Sequence, residues 1–170
     1  TSLYFVVNDS FYNRQLPQAK LPEGVIVDSL AKVAAEHPEW LATYYGKMAK
    51  TANDGIVALN TMLAQDGLVV YVPKGVCVER TVQVINIMRS DVDLMVNRRV
   101  LVIVEQGAAI KLLFCDHTAD HCRFLATQVI EAFVGENASL ELYCLEETHI
   151  QHTRTSHVFI EQQANSRVNH

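Results

Sequence analysis

The sequence predicts a mainly β fold: a two-sheet parallel β-solenoid preceded by a small extended and helical region. Three observations carry that prediction. The first is a recurring phrase in which an apolar strand meets a tight turn, then a small residue and a second apolar strand. It reads Val72-Pro73-Lys74-Gly75-Val76, Val104-Glu105-Gln106-Gly107-Ala108, Val134-Gly135-Glu136-Asn137-Ala138 and Ile160-Glu161-Gln162-Gln163-Ala164. The turn residues Gly75, Gly107, Asn137 and Gln163 are 32, 30 and 26 positions apart, in the range where one structural unit stacks on the next. The second observation is that the strands form two interleaved series, starting near Leu68, Val100, Val129 and His157 and near Val82, Ile110, Leu140 and Ser166. Near-equal returns let each strand pair in parallel with its counterpart one turn away. The third is the length of the connections Met88 to Arg99 and Asp116 to Phe124, too long for tight hairpins. A cupin-like antiparallel barrel, the competing architecture, would need a hairpin at every connection.

Residues 1–66 form the N-terminal region and residues 67–170 the solenoid. Leu3 to Val7 and Leu21 to Val27 are extended, with a turn at Pro22 to Gly24. Asp28 is expected to cap a helix through Glu36 that carries Leu30, Val33 and Ala34 on one face. Pro38 fits the first turn of a second helix bearing Leu41, Tyr44, Tyr45 and Met48, because proline has no N–H to satisfy there. A third helix is expected from Asn53 to Gln65, with Ile56, Leu59 and Leu63 inward and Asp66-Gly67 ending it. These helices would flank the β body. Within that body, Leu68 to Val72 and Val100 to Val104 are unbroken apolar runs, as strands covered on both faces should be. Leu140, Leu142 and Cys144 instead alternate with Glu141 and Tyr143, the pattern of a half-exposed strand. Gly75 and Gly107 permit a left-handed corner and Asn137 tolerates one, whereas Gln163 fits least well.

Size and charge narrow the function. A chain of 170 residues that is 49% hydrophobic has enough apolar material for a core. Its net charge of -5, with 14 basic against 19 acidic residues, offers no basic stripe for nucleic acid. No apolar run is long enough to span a bilayer, and Thr1-Ser2-Leu3-Tyr4 lacks the regions of a signal peptide, so no membrane contact and a cytoplasmic location are expected. Cys77, Cys115, Cys122 and Cys144 include no Cys-x-x-Cys pair and are expected to be reduced. The chain lacks an initiator Met and stops at Arg167-Val168-Asn169-His170, where another strand begins without a polar cap. It is therefore expected to be a fragment of a longer solenoid, able to self-associate through its uncapped edge.

The densest set of ligand-type residues is Cys115-Asp116-His117-Thr118-Ala119-Asp120-His121-Cys122. On a helix His117 and His121 would share a face, and with Cys115 and Cys122 they would offer nitrogen and sulfur to zinc or iron. The alternative is a polar loop between strands. Glu146, Glu147, His149, His152 and His157 follow one unit later, where stacking would bring His117 or His121 towards His149 or His152. Glu146 and Glu147 are adjacent, so on a strand they face opposite ways and cannot act as an acid/base pair. No P-loop, dinucleotide fingerprint or nucleophile elbow occurs, and no catalytic residue is assigned. Trp40, Tyr44 and Tyr45 form either a partner patch or the buried face of a helix.

The stretch Ala58-Leu59-Asn60-Thr61-Met62-Leu63-Ala64-Gln65-Asp66-Gly67-Leu68-Val69-Val70-Tyr71-Val72-Pro73-Lys74-Gly75-Val76 resembles the signature of the SufB/SufD family, scaffold subunits of iron–sulfur cluster assembly. Val78-Glu79-Arg80-Thr81-Val82-Gln83-Val84-Ile85-Asn86 resembles the SufD branch more than the SufB branch, with Thr81 where a proline is usual. Leu112 to Thr118 and Val134 to Ala138 extend the similarity along nearly the whole chain. The resemblance implies a right-handed parallel β-helix. It also implies a non-enzymatic scaffold that acts with a SufB-like subunit and a SufC-like ATPase, with no tightly bound cofactor and a transient iron–sulfur cluster in the full complex. The resemblance also implies that the family's functional Cys and His residues lie in later rungs, so none is carried onto this stretch. The competing function is a metal-dependent β-helix or cupin-like enzyme using the His-rich loops.

Overall fold

A computed structural model of the chain describes residues 2–12, 20–51, 54–119 and 121–170. The elements run β1 (Ser2–Val7), β2 (Ser10–Phe11), β3 (Ile26–Ser29), α1 (Leu30–Glu36), α2 (Pro38–Tyr44), α3 (Gly55–Leu63), β4 (Leu68–Val72), β5 (Val82–Met88) and β6 (Leu94–Val104). They continue with β7 (Ala109–Thr118), β8 (Phe124–Val134), β9 (Ser139–Glu147), β10 (His152–Gln162) and β11 (Arg167–Asn169). One sheet has the order β11-β9-β7-β5-β1-β2 and the other β10-β8-β6-β4-β3. From β4 onward the chain alternates between the sheets and every pairing is parallel, so the body is a two-sheet β-solenoid of about three turns. At the first rung β2 and β3 pair antiparallel instead, with β1 and β4 respectively.

The register gives the true period. Leu68 pairs with Val100, Val100 with Ile130, and Ile130 with Val158, steps of 32, 30 and 28 residues. The corners follow the same steps. Positive φ occurs at Gly75, Gly107, Asn137 and Asn165, so the fourth corner is Asn165 and not Gln163. Gln163 lies before the turn and donates its N–H to Val134 O at 2.9 Å. Asparagine tolerates the left-handed backbone better than glutamine because its shorter amide bonds the local backbone. Corner stacks on corner: Gly75 N–H donates to Gln106 O, Gly107 N–H to Glu136 O and Asn137 N–H to Ala164 O, at 2.8–3.0 Å.

Between the sheets lies one apolar column, with Val70, Val102, Ala132 and Val134 facing Val84, Leu112, Phe114, Leu140 and Leu142. Burying each larger side chain is worth about 1.5–3 kcal/mol, so stacked inward ladders account for the persistence of the alternation. The unbroken runs in β4 and β6 are explained by a second layer. Val69, Leu101, Ile103 and Phe133 point outward and are covered by Leu30 and Val33 of α1 and by Trp40, Leu41 and Tyr44 of α2. Trp40 stacks between His37 and Tyr71, at centroid distances of 4.1 and 4.2 Å. Trp40 and Tyr44 are thus the packed face of a helical flank, whereas Tyr45 and Met48, expected on the same helix, lie beyond its end and pack from the loop that follows.

Several local expectations are corrected. The cap of α1 is Ser29, whose Oγ accepts from Lys32 N, while Asp28 belongs to β3 and pairs with Lys32. Asp54 caps α3, accepting from Ile56 and Val57 N–H, and the expected start at Asn53 lies outside the described residues. That helix buries Val57 and Asn60, whereas Ile56 and Leu63 are exposed, because the sheet beneath presents polar groups to Asn60. Asp66 is a junction: its carboxylate accepts from Phe11 N, Ser29 Oγ and Ala31 N. Gly67 follows because a Cβ there would lie 2.2 Å from Arg99 O. The long connections also shrink: β6 starts at Leu94, β7 runs to Thr118 and β8 starts at Phe124, leaving residues 89–93 and, among those described, 119 and 121–123 as loops.

Candidate functional site

The expected metal ligands are held by two different elements. Cys115 and His117 lie in β7, not on a helix, and His121 and Cys122 lie in the following loop. Cys115 is buried and accepts from Gln83 Nε2 at 3.2 Å, whereas Cys122 donates to Ser90 O at 3.1 Å. His117 pairs with Glu147, its ladder neighbour, at 3.4 Å. Asp120 lies outside the described residues. Among those described, no group of three or more His, Cys, Asp or Glu is placed to hold a metal ion. Stacking does bring His121 to His149, with ring centroids 5.0 Å apart and edge-on. Glu146 and Glu147 face opposite sides of β9, so one meets Arg154 and the other His117.

The densest chemistry lies inside the solenoid. Asn86, Asp116 and Glu146 occupy one ladder position on three successive rungs. The Asn86 and Asp116 side chains are buried between the sheet of β5, β7 and β9 and Arg98 and Arg154 of the other, whereas the Glu146 side chain is 53% exposed at the rim. Asp116 Oδ1 accepts from Arg98 Nη1 at 2.5 Å and from Asn86 Nδ2 at 2.6 Å. Arg154 Nε lies 3.3 Å from Asp116 Oδ2, close enough for an ion pair though its N–H is not aimed along a hydrogen bond, and Arg154 Nη1 contacts Glu146. Arg98 and Asp116 side chains are each 3% exposed.

The electrostatics follow from burial and pairing. Burial pulls the Arg98 guanidinium below its ordinary value, against the pull of Asp116. Burial also pushes the Asp116 carboxyl up, but Arg98, Arg154 and the hydrogen bonds to Arg98 and Asn86 outweigh it and hold the group below the usual carboxylate range. Burial raises the Cys144 thiol, and burial with nearby Arg98 lowers His152. The carboxylate stays charged, the thiol protonated and the imidazole neutral. Such a cluster holds charge in place and is poorly suited to moving protons near neutral pH.

A second buried pair lies on the outer face of the same strand. Arg99 Nη2 donates to Glu131 Oε2 at 2.7 Å, with Arg99 0% and Glu131 1% exposed. Glu131 also accepts three backbone N–H groups, from Gly46 at 2.8 Å and from Met48 and Ala49 at 2.9 Å. Arg99 reaches Thr61 Oγ1 at 3.1 Å and lies 4.6 Å over the Tyr45 ring. One carboxylate thereby fastens the loop between α2 and α3 to the sheet.

Neither centre stands out among the ligand-type residues of the sequence. A signal was present: Asn86, Asp116 and Glu146 recur at intervals of 30, in phase with the rungs, and Arg98, Arg99 and Glu131 place charge in strands that are otherwise uncharged. Asp116, in phase with the core ladder, belongs to a buried network, and Glu146 meets that network from its exposed edge.

Two family descriptions together match almost the whole chain: "SufBD protein N-terminal region" over residues 1–84, and "SUF system FeS cluster assembly, SufBD core domain" over residues 86–170. A curated relative, an iron–sulfur cluster assembly SufBD family protein of Synechocystis sp., is 31% identical over 121 residues, covering 70% of this chain and 25% of the relative. The chain therefore spans about a quarter of the length of the curated relative it matches.

Proposed function

The chain belongs to the SufBD family of iron–sulfur cluster assembly proteins, and we propose that it is part of a non-catalytic, SufD-type scaffold acting with a SufB-like subunit and a SufC-like ATPase. Membership in the family assigns a role in iron–sulfur cluster assembly. The observation that carries the scaffold reading is the use made of buried charge: Asp116 and Glu131 tie rungs and helices together. The SufD assignment is supported by Val78 to Asn86, which resemble that branch. A nascent cluster would be cargo of the complex and not a resident group of this chain. No helix among the described residues is long and apolar enough to cross a membrane, and a cytoplasmic setting fits this role. The edge strands β10 and β11 would pair with a further strand, from a partner or from a second copy of the chain.

The test is an affinity pull-down of the longer protein that contains this stretch, followed by identification of bound chains and metal analysis of the isolated stretch. Co-purification of an ATPase and a second SufBD-type chain, with no stoichiometric metal on the stretch itself, is the expected result. Tight metal lost on His117→Ala or His121→Ala would overturn it in favour of a metalloenzyme. Sedimentation at increasing concentration checks the edge: a monomer throughout would count against self-pairing.

A further inference from the structure

On the outer face of the helix-covered sheet, Tyr71, Ile103 and Phe133 share one ladder, and the next position on it is the exposed Glu161. There α2 ends at Tyr44, and a pocket of about 90 Å³ opens between that residue and the strand ends. It holds about three waters' worth of space, enough for one planar head group but not for the main chain of an amino acid as well. Tyr44 and Phe133 give it aromatic walls, with ring centroids 4.9 Å apart, and Glu105 joins Glu161 in lining it. Gly135, where a Cβ would lie 2.7 Å from Gln106 N, contributes backbone alone. Among the described residues neither Glu105 nor Glu161 has an ion-pair partner, whereas Asp28, Glu131 and Glu141 each do. Burial and the charge of Glu105 push the Tyr44 and Tyr71 phenols up, so the field of that carboxylate falls on both rings. A similar set of groups already holds a cation nearby: Arg99 lies 4.6 Å over the Tyr45 ring and donates to Glu131 at 2.7 Å. Tyr44, Phe133, Glu105 and Glu161 repeat that set without a guanidinium.

We propose that this pocket takes the guanidinium of an arginine side chain carried by a partner protein. The flat cation lies against the aromatic walls, and its N–H groups donate to Glu105 and Glu161. A lysine ammonium suits the pocket less, because it is more strongly hydrated and cannot stack. Size selects the source: only the head group enters, so the rest of the ligand lies outside, over the exposed rim at Gln163. This preference does not rest on the particular partners proposed above.

Three capped residues serve as probes in an NMR titration of the purified protein: N-acetyl-arginine methylamide, its lysine counterpart and its citrulline counterpart, a neutral molecule of the same shape. The arginine probe should shift the Gly135 and Gln163 amides saturably, the lysine probe should bind more weakly, and the citrulline probe should leave both amides in place. Glu161→Gln should weaken the arginine probe about threefold, as for an exposed pair, and Glu105→Gln/Glu161→Gln should abolish saturation. Glu136→Gln removes an equal charge from the neighbouring corner, outside the pocket's lining, and should change nothing. Equal shifts from the citrulline probe, or equal weakening by Glu136→Gln and Glu161→Gln, would overturn the proposal. Free L-arginine binding about tenfold tighter than the capped residue would also overturn it, in favour of a site for the amino acid itself. Glu161 and Glu136 are exposed, so their single variants keep the comparison sound if the double variant proves unstable.

Discussion

Arg98 and Arg99 are neighbours in β6, both buried and both paired with a carboxylate, yet they do different work because a strand sends them to opposite faces. Arg98 points into the solenoid and meets Asp116, which also holds Asn86 and lies beside Arg154, so a single carboxylate links three successive rungs. Arg99 points outward and meets Glu131, whose remaining acceptor capacity is taken by the backbone of residues 46–49. The inner pair sets how rungs stack. The outer pair sets where the helices sit. Charge inside this fold is therefore a positional device whose role depends on the face it occupies.

The largest way to break this comparison is Glu131→Ala, which strips a buried guanidinium of its counter-ion and leaves three N–H groups unpaired. A loss of about 3–5 kcal/mol is expected from urea unfolding. Trypsin should then cut at Lys47 or Lys50 faster than in the parent, where Glu131 holds the backbone of residues 46–49. Asp116→Ala should cost about 3 kcal/mol without exposing that loop, because the inner pair does not touch it. The double variant Arg98→Met/Asp116→Leu should recover most of the loss, since apolar replacement of a buried pair is often neutral or better. If Asp116→Ala frees the helices as readily as Glu131→Ala, the division of labour fails.

A smaller effect is expected from pH. His152 titrates below its ordinary value of 6.5 in the folded chain, so the unfolded chain binds its proton first. Stability contributed by neutral His152 is present above about pH 6.5 and is lost as pH falls from there through the depressed folded value. His152→Gln should flatten the melting temperature across that range. Asp116 adds a second, more acidic loss: its folded value lies below the usual carboxylate range, so its contribution holds above about pH 4 and goes as the carboxyl protonates. Smallest of all is Asp93→Ala. It breaks the exposed pair with Arg123 and should leave the melting temperature unchanged within error, which contrasts with both buried pairs.

Much of the fold was legible because the period and the alternation are imposed by the core itself. Val100 to Val104 read as doubly covered and is covered, by the inner column on one side and α1 and α2 on the other. Asn165 was missed because a short amide in a polar stretch gives a weak local signal, and Gln163 stood closer to the expected phrase. The face of α3 was misread for a different reason: apolar Ile56 and Leu63 outscore Asn60, but the sheet below α3 offers the Arg98 carbonyl and the Thr127 hydroxyl for Asn60 to bond. The His and Cys residues drew attention by abundance. Strand geometry then separated Cys115 from Cys122, while stacking joined His121 to His149, a contact that sequence distance hides and the period reveals.

The register steps of 32, 30 and 28 residues carry a rule of parity. Each turn is shorter than the last by two, the first pair of residues leaving the β4–β5 connection and the second the β9–β10 connection. An even change keeps every inward side chain inward, whereas an odd change absorbed by a strand would turn its apolar set out to solvent. Length in such a stack is quantised in pairs. A one-residue deletion within β8 should therefore do more harm than a two-residue deletion in the loop beside it.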